Sequence, residues 1–525
     1  MNNLINAQGK YFQGYQEEVG GKRFTYHSPL PNVTQCLLAR ANKEYDPIEW
    51  KTEVVPKDYK GKSIPFIWMY GIGVQGDSKN FDLYINNEKY FTFSNPLDNS
   101  EETWSIENSN GAKLTFNRTM IDKHKDQMGF AVLTLPTNLI TLGEQIKIKI
   151  DGADEESTSW YMTFKATLEE ELTVTQTKTI SKIDGKLFHT ARFNFLHIGE
   201  SVNTTITVGE LNETILLKSG YNSIDINLPK VDTPTEFEAI VKIGDEAEEK
   251  HKFTLEPVKE WMVYLVQHTH TDIGYTRPQT EILSEHLRYI DDALDYCDQT
   301  DDYPDNAQFR WTAEASWAVR EYLKSRPEEQ IERLLQRVKE GRIEVTGMFF
   351  NFSEIVDETA LAIQTQTLKK FKERGIDVKT AMQNDVNGIG WCMIDFYKDT
   401  DVKYLTMGQH GHRAHVPFDK PTSFWWESPA GNRLLAYRSE HYMHGNALAL
   451  TSGYLDAFMT NLSKYLEGLD EKGYPYDRTS FQFSGYVTDN SPPSTAACDI
   501  VKEWNEKYEW PKLKLSLARE FMVYL

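Results

Sequence analysis

The hydrophobic pattern of this chain changes period near residue 257, and no single fold class accommodates both halves. Before that point, short runs rich in Val, Ile, Thr, Tyr and Phe alternate with turn residues: Phe66–Val74, Phe81–Ile85, Tyr90–Phe93, Lys113–Phe116, Phe130–Leu135 and Ile146–Ile150. Branched and aromatic side chains pack well across neighbouring strands, so these runs read as strands. Asn86-Asn87 stands between two of them, where a tight hairpin needs residues that tolerate positive φ. The pattern predicts a β-sandwich over residues 1–165. A second set follows at Leu172–Ile180, Phe188–Phe195, Val202–Val208, Glu213–Leu217, Ser223–Leu228, Glu236–Ile243 and Lys250–Leu255. This spacing predicts an immunoglobulin-like sandwich over 166–257.

From Trp261 onward strands alternate with helices. Ile331, Leu334, Leu335 and Val338 lie at i, i+3, i+4 and i+7, between Pro327 and Gly341, which predicts a helix over 328–339. Leu283, Leu287, Ile290 and Leu294 form a second stripe, and Leu455, Phe458, Leu462, Tyr465, Leu466 and Leu469 a third. Between them lie apolar strand candidates at Met262–Val266, Phe309–Thr312, Ile343–Gly347, Val378–Met382, Lys403–Met407, Leu434–Tyr437 and Ser480–Phe483. Seven strands separated mostly by helices predict a parallel βα barrel or open sheet over 258–525.

Composition removes other classes. Lys and Arg number 57 against 78 Asp and Glu, a formal charge of −21, which repels phosphate backbones and anionic lipid. Neither nucleic acid nor a membrane surface is an expected partner. No segment approaches the roughly 18 apolar residues of a membrane span, and Met1–Phe12 lacks a basic region followed by an apolar one. The expectation is a cytoplasmic protein, or an exported one with its signal removed. Cys36, Cys297, Cys392 and Cys498 are far apart, with no CxxC spacing, and are expected to be buried free thiols.

In βα folds ligands bind at the carboxyl ends of the strands, so the polar residues there are the place to seek chemistry. The first strand is followed by Gln267-His268-Thr269-His270-Thr271-Asp272, the fourth by Gln383-Asn384-Asp385, the fifth by Gln409-His410-Gly411-His412 and the seventh by Thr488-Asp489-Asn490. His270 and Asp272 are two apart, so in extended backbone both point to one side; His268 shares that parity. Imidazole nitrogen with carboxylate oxygen suits zinc, whereas the plainer alternative is that these groups hydrogen-bond to loops. Asp385 is costly to bury unless paired or metal-bound, the alternative being an Asx-turn cap on the loop with Gly388 and Gly390.

His270-Thr271-Asp272 with Gly274, then Trp311-Thr312-Ala313-Glu314, Val345-Thr346-Gly347 and Asp385 with Gly388 resemble, in order and spacing, the catalytic domain of glycoside hydrolase family 38, the α-mannosidases. The resemblance covers residues of about 258 to 525. It implies a seven-stranded βα barrel, zinc held by His270 and Asp272, and Asp385 as both zinc ligand and nucleophile of a retaining hydrolysis. A second carboxyl group serves as acid and base; Glu354, Asp357, Glu358 and Asp489 are candidates and none is chosen. Substrate contacts are sought among His268, Tyr275, His410, His412, His441 and Asp489, with His415 and His444 nearby and Trp391, Trp425 and Trp426 as stacking surfaces.

The family's fourth zinc ligand comes from a His-His-Asp motif, to which none of the 13 histidines here belongs. The resemblance therefore implies a chain that stops short of the family pattern at its carboxyl end, or another histidine completing the site. The hairpin Tyr84–Glu88 resembles jelly-roll modules that accompany carbohydrate enzymes. The expected function is a zinc-dependent α-mannosidase acting on glycans. The alternatives are a metal-dependent carbohydrate deacetylase and a non-catalytic carbohydrate-binding protein with an incomplete site.

Overall fold

The computed structural model describes residues 12–25, 35–73, 79–94, 101–121, 125–154, 156–164, 172–197, 201–218, 220–245, 247–351, 356–386, 388–411, 415–486 and 488–525. The chain is mostly β-structure, arranged in several sheets, and divides into two compact units. One is made of Met1–Thr177 and Phe188–Pro257, the other of Lys178–Leu187 and Val258–Leu525.

The first unit contains two largely antiparallel sheets with a common aromatic core. One sheet carries Gln35–Arg40, Trp160–Phe164, Ser63–Ile72, Gln127–Pro136, Lys113–Ile121 and Thr103–Glu107 in that order, and the other Ile48–Lys51, Lys147–Gly152, Asn80–Ile85 and Glu88–Ser94. Trp50, Trp68, Tyr70, Tyr161, Phe66, Phe81 and Phe116 are fully buried in it. Burying each such side chain stabilises the fold by about 1.5 to 3 kcal/mol. Asn86 and Asn87 turn the hairpin with φ of 48° and 73°, the conformation expected of them. All seven strands of the second predicted set form as well. Val202–Val208 pairs with both Leu211–Leu217 and Thr235–Ile243, and Phe193, Phe195, Ile206, Leu228 and Val241 share their core.

In the second unit the seven expected strands form at Met262–Gln267, Trp311–Ala313, Ile343–Val345, Thr380–Asn384, Tyr404–Gly408, Arg433–Arg438 and Arg478–Phe483. They lie in three parallel groups. The first strand pairs with the seventh, the second with the third, and the fourth with the fifth, which pairs with the sixth. Among the described residues no continuous ladder joins the groups, so the expected barrel is not seen as one closed sheet. Single contacts bridge the gaps: His268 with Thr312 in parallel fashion, and Gly347 N–H with the Thr380 carbonyl at 2.8 Å.

Three strands of this unit were not expected, one of them the short Tyr508–Trp510. Lys512–Ser516 is an eighth parallel strand, on the other side of the first, and Thr422–Glu427 is an antiparallel edge beside the sixth. The three predicted helices form at Gln279–Gln299, Glu328–Lys339 and Leu455–Glu471; in the first, Ile290 and Leu294 of the anticipated stripe are buried, but Leu283 and Leu287 are only half-buried and Ile282, His286 and Tyr289 complete the covered face. One core, including Val263, Leu265, Leu334, Ala381, Leu405, Ala436 and Phe481, joins the strands of all three groups with their helices. Cys36, Cys297 and Cys498 are buried, but Cys392, at the first position of its helix, is exposed, contrary to expectation.

Candidate active site

The strand ends of the second unit bring together residues far apart in sequence. Among the described residues, His270, Asp272 and Asp385 place one ligand atom each within 4.8 Å of one another. His270 Nε2 lies 3.3 Å from Asp272 Oδ1 and 3.9 Å from Asp385 Oδ2. His270 and Asp272 are both held by the segment Asp489-Asn490. His270 N–H donates to the Asp489 carbonyl at 3.1 Å. The Asn490 amide grips Asp272 twice, donating from Nδ2 to Oδ2 at 2.7 Å and accepting the backbone N–H on Oδ1 at 3.1 Å.

Asp385 ends the fourth strand with φ of 61°, left-handed backbone that an aspartate tolerates better than most residues but that still costs free energy. Its N–H is held by the Gly408 carbonyl at 3.0 Å. A Cβ on Gly408 would lie 2.6 Å from Asn384 Oδ1 and 2.7 Å from Tyr442 Cβ, so only glycine lets the fifth strand approach this closely. Asp385 Oδ1 is buried without a hydrogen-bond partner. A buried orphan oxygen is unfavourable by itself and suits a cation.

Behind the cluster sits Glu314, at the end of the second strand and 2% exposed. Its Oε1 is 3.0 Å from His270 Nδ1 and accepts the Asn384 side-chain amide, while Oε2 accepts the Thr271 N–H at 2.8 Å. Burial works against its charge, yet His270, His268 and these donors hold its pKa down to about 2. Burial likewise works against a charged His270, but Glu314 and Asp272 overcome it and push its pKa well up. Against the opposing effect of burial, His270, Tyr275 and Asn490 hold the Asp272 carboxyl well below the usual carboxylate range.

A ring stack extends from the cluster. Tyr442 lies over His270 with centroids 4.6 Å apart, His441 over Tyr442 at 4.3 Å, and His410 against His441 at 4.5 Å. The Tyr442 hydroxyl donates to Asp489 Oδ2 at 3.1 Å, tying that carboxylate to the same group. Burial, reinforced by His410, pushes the His441 pKa down to about 4, so this ring is neutral at pH 7.

Of the other candidates, Tyr275 is 70% exposed and donates its hydroxyl to Asp272 Oδ1, a position at the rim. His268 is fully enclosed, with Nε2 2.9 Å from the Tyr442 carbonyl, so it supports the site and does not face a substrate. Asp357 caps its helix, accepting the Ala360 N–H at 2.9 Å, and Glu358 lies in the first turn of that helix. His412, Glu354 and Asn387 lie outside the described residues. Trp391 and Trp425 are exposed, whereas Trp426 packs against the core, as strand alternation requires. The roles of Glu314, Asn384, Tyr442 and Asn490 were missed, although each stands at or just past a strand end, where the search for polar residues was directed.

With this geometry in view, residues 260–525 match the family described as the glycosyl hydrolases family 38 N-terminal domain. The match covers half of the chain, and the chain belongs to glycosyl hydrolase family 38. Similar solved structures include a protein in glycosyl hydrolase family 38 from Enterococcus faecalis, 14% identical with a TM-score of 0.37, covering 51% of this chain and 27% of that one. The 4-alpha-glucanotransferase of Thermococcus litoralis is 11% identical with a TM-score of 0.31, covering 50% of this chain and 38% of that one. The beta-glucuronidase 2 of Bacteroides uniformis is 9% identical with a TM-score of 0.20, covering 76% and 55%. This chain thus spans well under half the length of the first two. No curated protein matches it.

Proposed function

We propose that this family 38 hydrolase is a zinc-dependent retaining α-mannosidase acting on glycans, with Asp385 as nucleophile. The observation that carries the reading is the convergence of His270, Asp272 and Asp385 around a buried Asp385 oxygen that has no hydrogen-bond partner. One imidazole and two carboxylates form a donor set that suits zinc. A zinc ion held by these three residues would supply positive charge that orients sugar hydroxyls and favours a distorted ring. The remaining chemistry belongs to side chains. An Asp385 oxygen attacks the anomeric carbon as the bond to the leaving oxygen breaks, a second carboxyl delivers a proton to that oxygen, and water then cleaves the glycosyl ester. Asp489, bonded to Tyr442 beside the cluster, is the carboxyl we assign to proton delivery.

The same reading takes the three parallel groups as arcs of one βα barrel, supported by their shared core and the bridging contacts at His268 and Gly347. It also keeps the domains at 1–165, 166–257 and 258–525. Kinetics on aryl α-mannosides test the chemistry. Asp385→Asn should lower turnover by more than about 10⁴-fold, while Asp489→Asn should spare substrates whose leaving group needs no proton. Wild-type turnover in Asp385→Asn excludes the nucleophile assignment.

A further inference from the structure

We propose that Glu314 is the positioning residue of the candidate metal centre, one carboxylate that holds the His270–Asp272 segment and the Asp385 strand end in register. The inference rests on reading the cluster as a metal centre. Glu314 receives donors from both arms: His270 Nδ1 at 3.0 Å and Thr271 N–H at 2.8 Å from one, the Asn384 side-chain amide from the other. Its own backbone is pinned by the Thr346 hydroxyl, which donates to the Glu314 carbonyl at 2.6 Å. The carboxylate is enclosed, so water does not replace a donor that is lost.

Two consequences follow from its chemistry. An ionised carboxylate only accepts, so it takes the Nδ1–H of His270 and leaves Nε2 as the nitrogen that faces Asp272 and Asp385. It also sets the Asn384 amide, whose Oδ1 accepts the Gly408 N–H at 3.0 Å one residue before Asp385. A glutamine of the same shape cannot do both. Whichever way its amide is turned, an NH₂ faces either Thr271 N–H or the His270 and Asn384 donors.

The test reads metal affinity, not hydrolysis. Zinc is titrated against a chromophoric chelator in the wild-type chain, Glu314→Gln, His270→Gln and the double variant, with unfolding curves as the folding control. Glu314→Gln should weaken zinc by about 10- to 100-fold, the usual effect of removing such a partner. In the His270→Gln background the further loss should be much smaller, because the partner being positioned is gone. Equal losses in both backgrounds, or an unchanged affinity in Glu314→Gln, overturn the inference. Should Glu314→Gln not fold, imidazole ¹⁵N spectra of the zinc-loaded wild-type chain decide, with Nδ1 protonated and Nε2 metal-bound as expected, and the reverse overturning it. A wild-type chain that takes up no zinc overturns the metal-centre reading itself, a different result from failure at Glu314 alone.

Discussion

Both units carry exposed ion pairs, but among the described residues only the parallel unit gathers a cluster of candidate metal ligands at its strand ends. In the sandwich unit, opposite charges pair across neighbouring strands on exposed positions: Arg192 with Asp225 at 2.7 Å, Lys250 with Glu238 at 2.8 Å and Lys252 with Glu236 at 3.1 Å. In the parallel unit, Glu314, Asp272, Asp385 and His270 converge at strand ends, two of them almost fully buried. Topology is the cause. Antiparallel neighbours send consecutive strand ends to opposite edges, so polar residues pair locally. Parallel neighbours send every carboxyl end to one edge, where residues more than a hundred positions apart meet.

The comparison breaks most visibly under acid. His286, buried on the helix Gln279–Gln299, has its pKa pushed down to about 4 by burial, from 6.5 in an exposed chain. An unfolded chain binds that proton more readily, so the contribution is complete above pH 6.5 and disappears as pH falls to about 4. The expected loss between pH 7 and pH 4.5 is about 2 kcal/mol, measured by urea unfolding at the two pH values. His286→Gln should flatten that limb; an identical slope in the variant contradicts it.

Zinc sharpens the contrast next. Zinc at about 100 times its dissociation constant should stabilise the parallel unit by about 2.7 kcal/mol and leave the sandwich unit unmoved. Calorimetry of chelator-treated and zinc-loaded protein separates the two, and a shift common to both transitions defeats the expectation. The smallest effect concerns the exposed pairs. Replacing Lys252 and Glu236 together with alanine should produce no resolvable change in the unfolding midpoint, since water already screens both partners.

Much of this architecture was legible in the residues. Alternating Val, Ile and Phe runs marked the sandwich strands, and the Ile331–Val338 stripe marked its helix, because burial of one face writes a period into the sequence. Lys512–Ser516 also alternates, but its charged positions and the preceding Pro511 disguised a strand paired to a buried neighbour. At the site, the two-residue spacing of His270 and Asp272 was readable locally. The contacts of Glu314 with His270 and Asn384 depend on strands brought together only by the fold, and no local spacing announces them. Cys392 was misjudged because apolar residue type says little about which face of a short helix is covered.

The pairing of the first parallel strand has a consequence for synthesis. Both of its ladder partners, Arg478–Phe483 and Lys512–Ser516, are made more than two hundred residues after it. At about 5 to 20 residues per second, Met262–Gln267 leaves the ribosome roughly 10 to 50 seconds before either arrives. The sandwich hairpins, whose partners follow within a few residues, close almost as they emerge. A nascent chain therefore carries an apolar strand with open edges throughout that interval, which is when it most needs a chaperone.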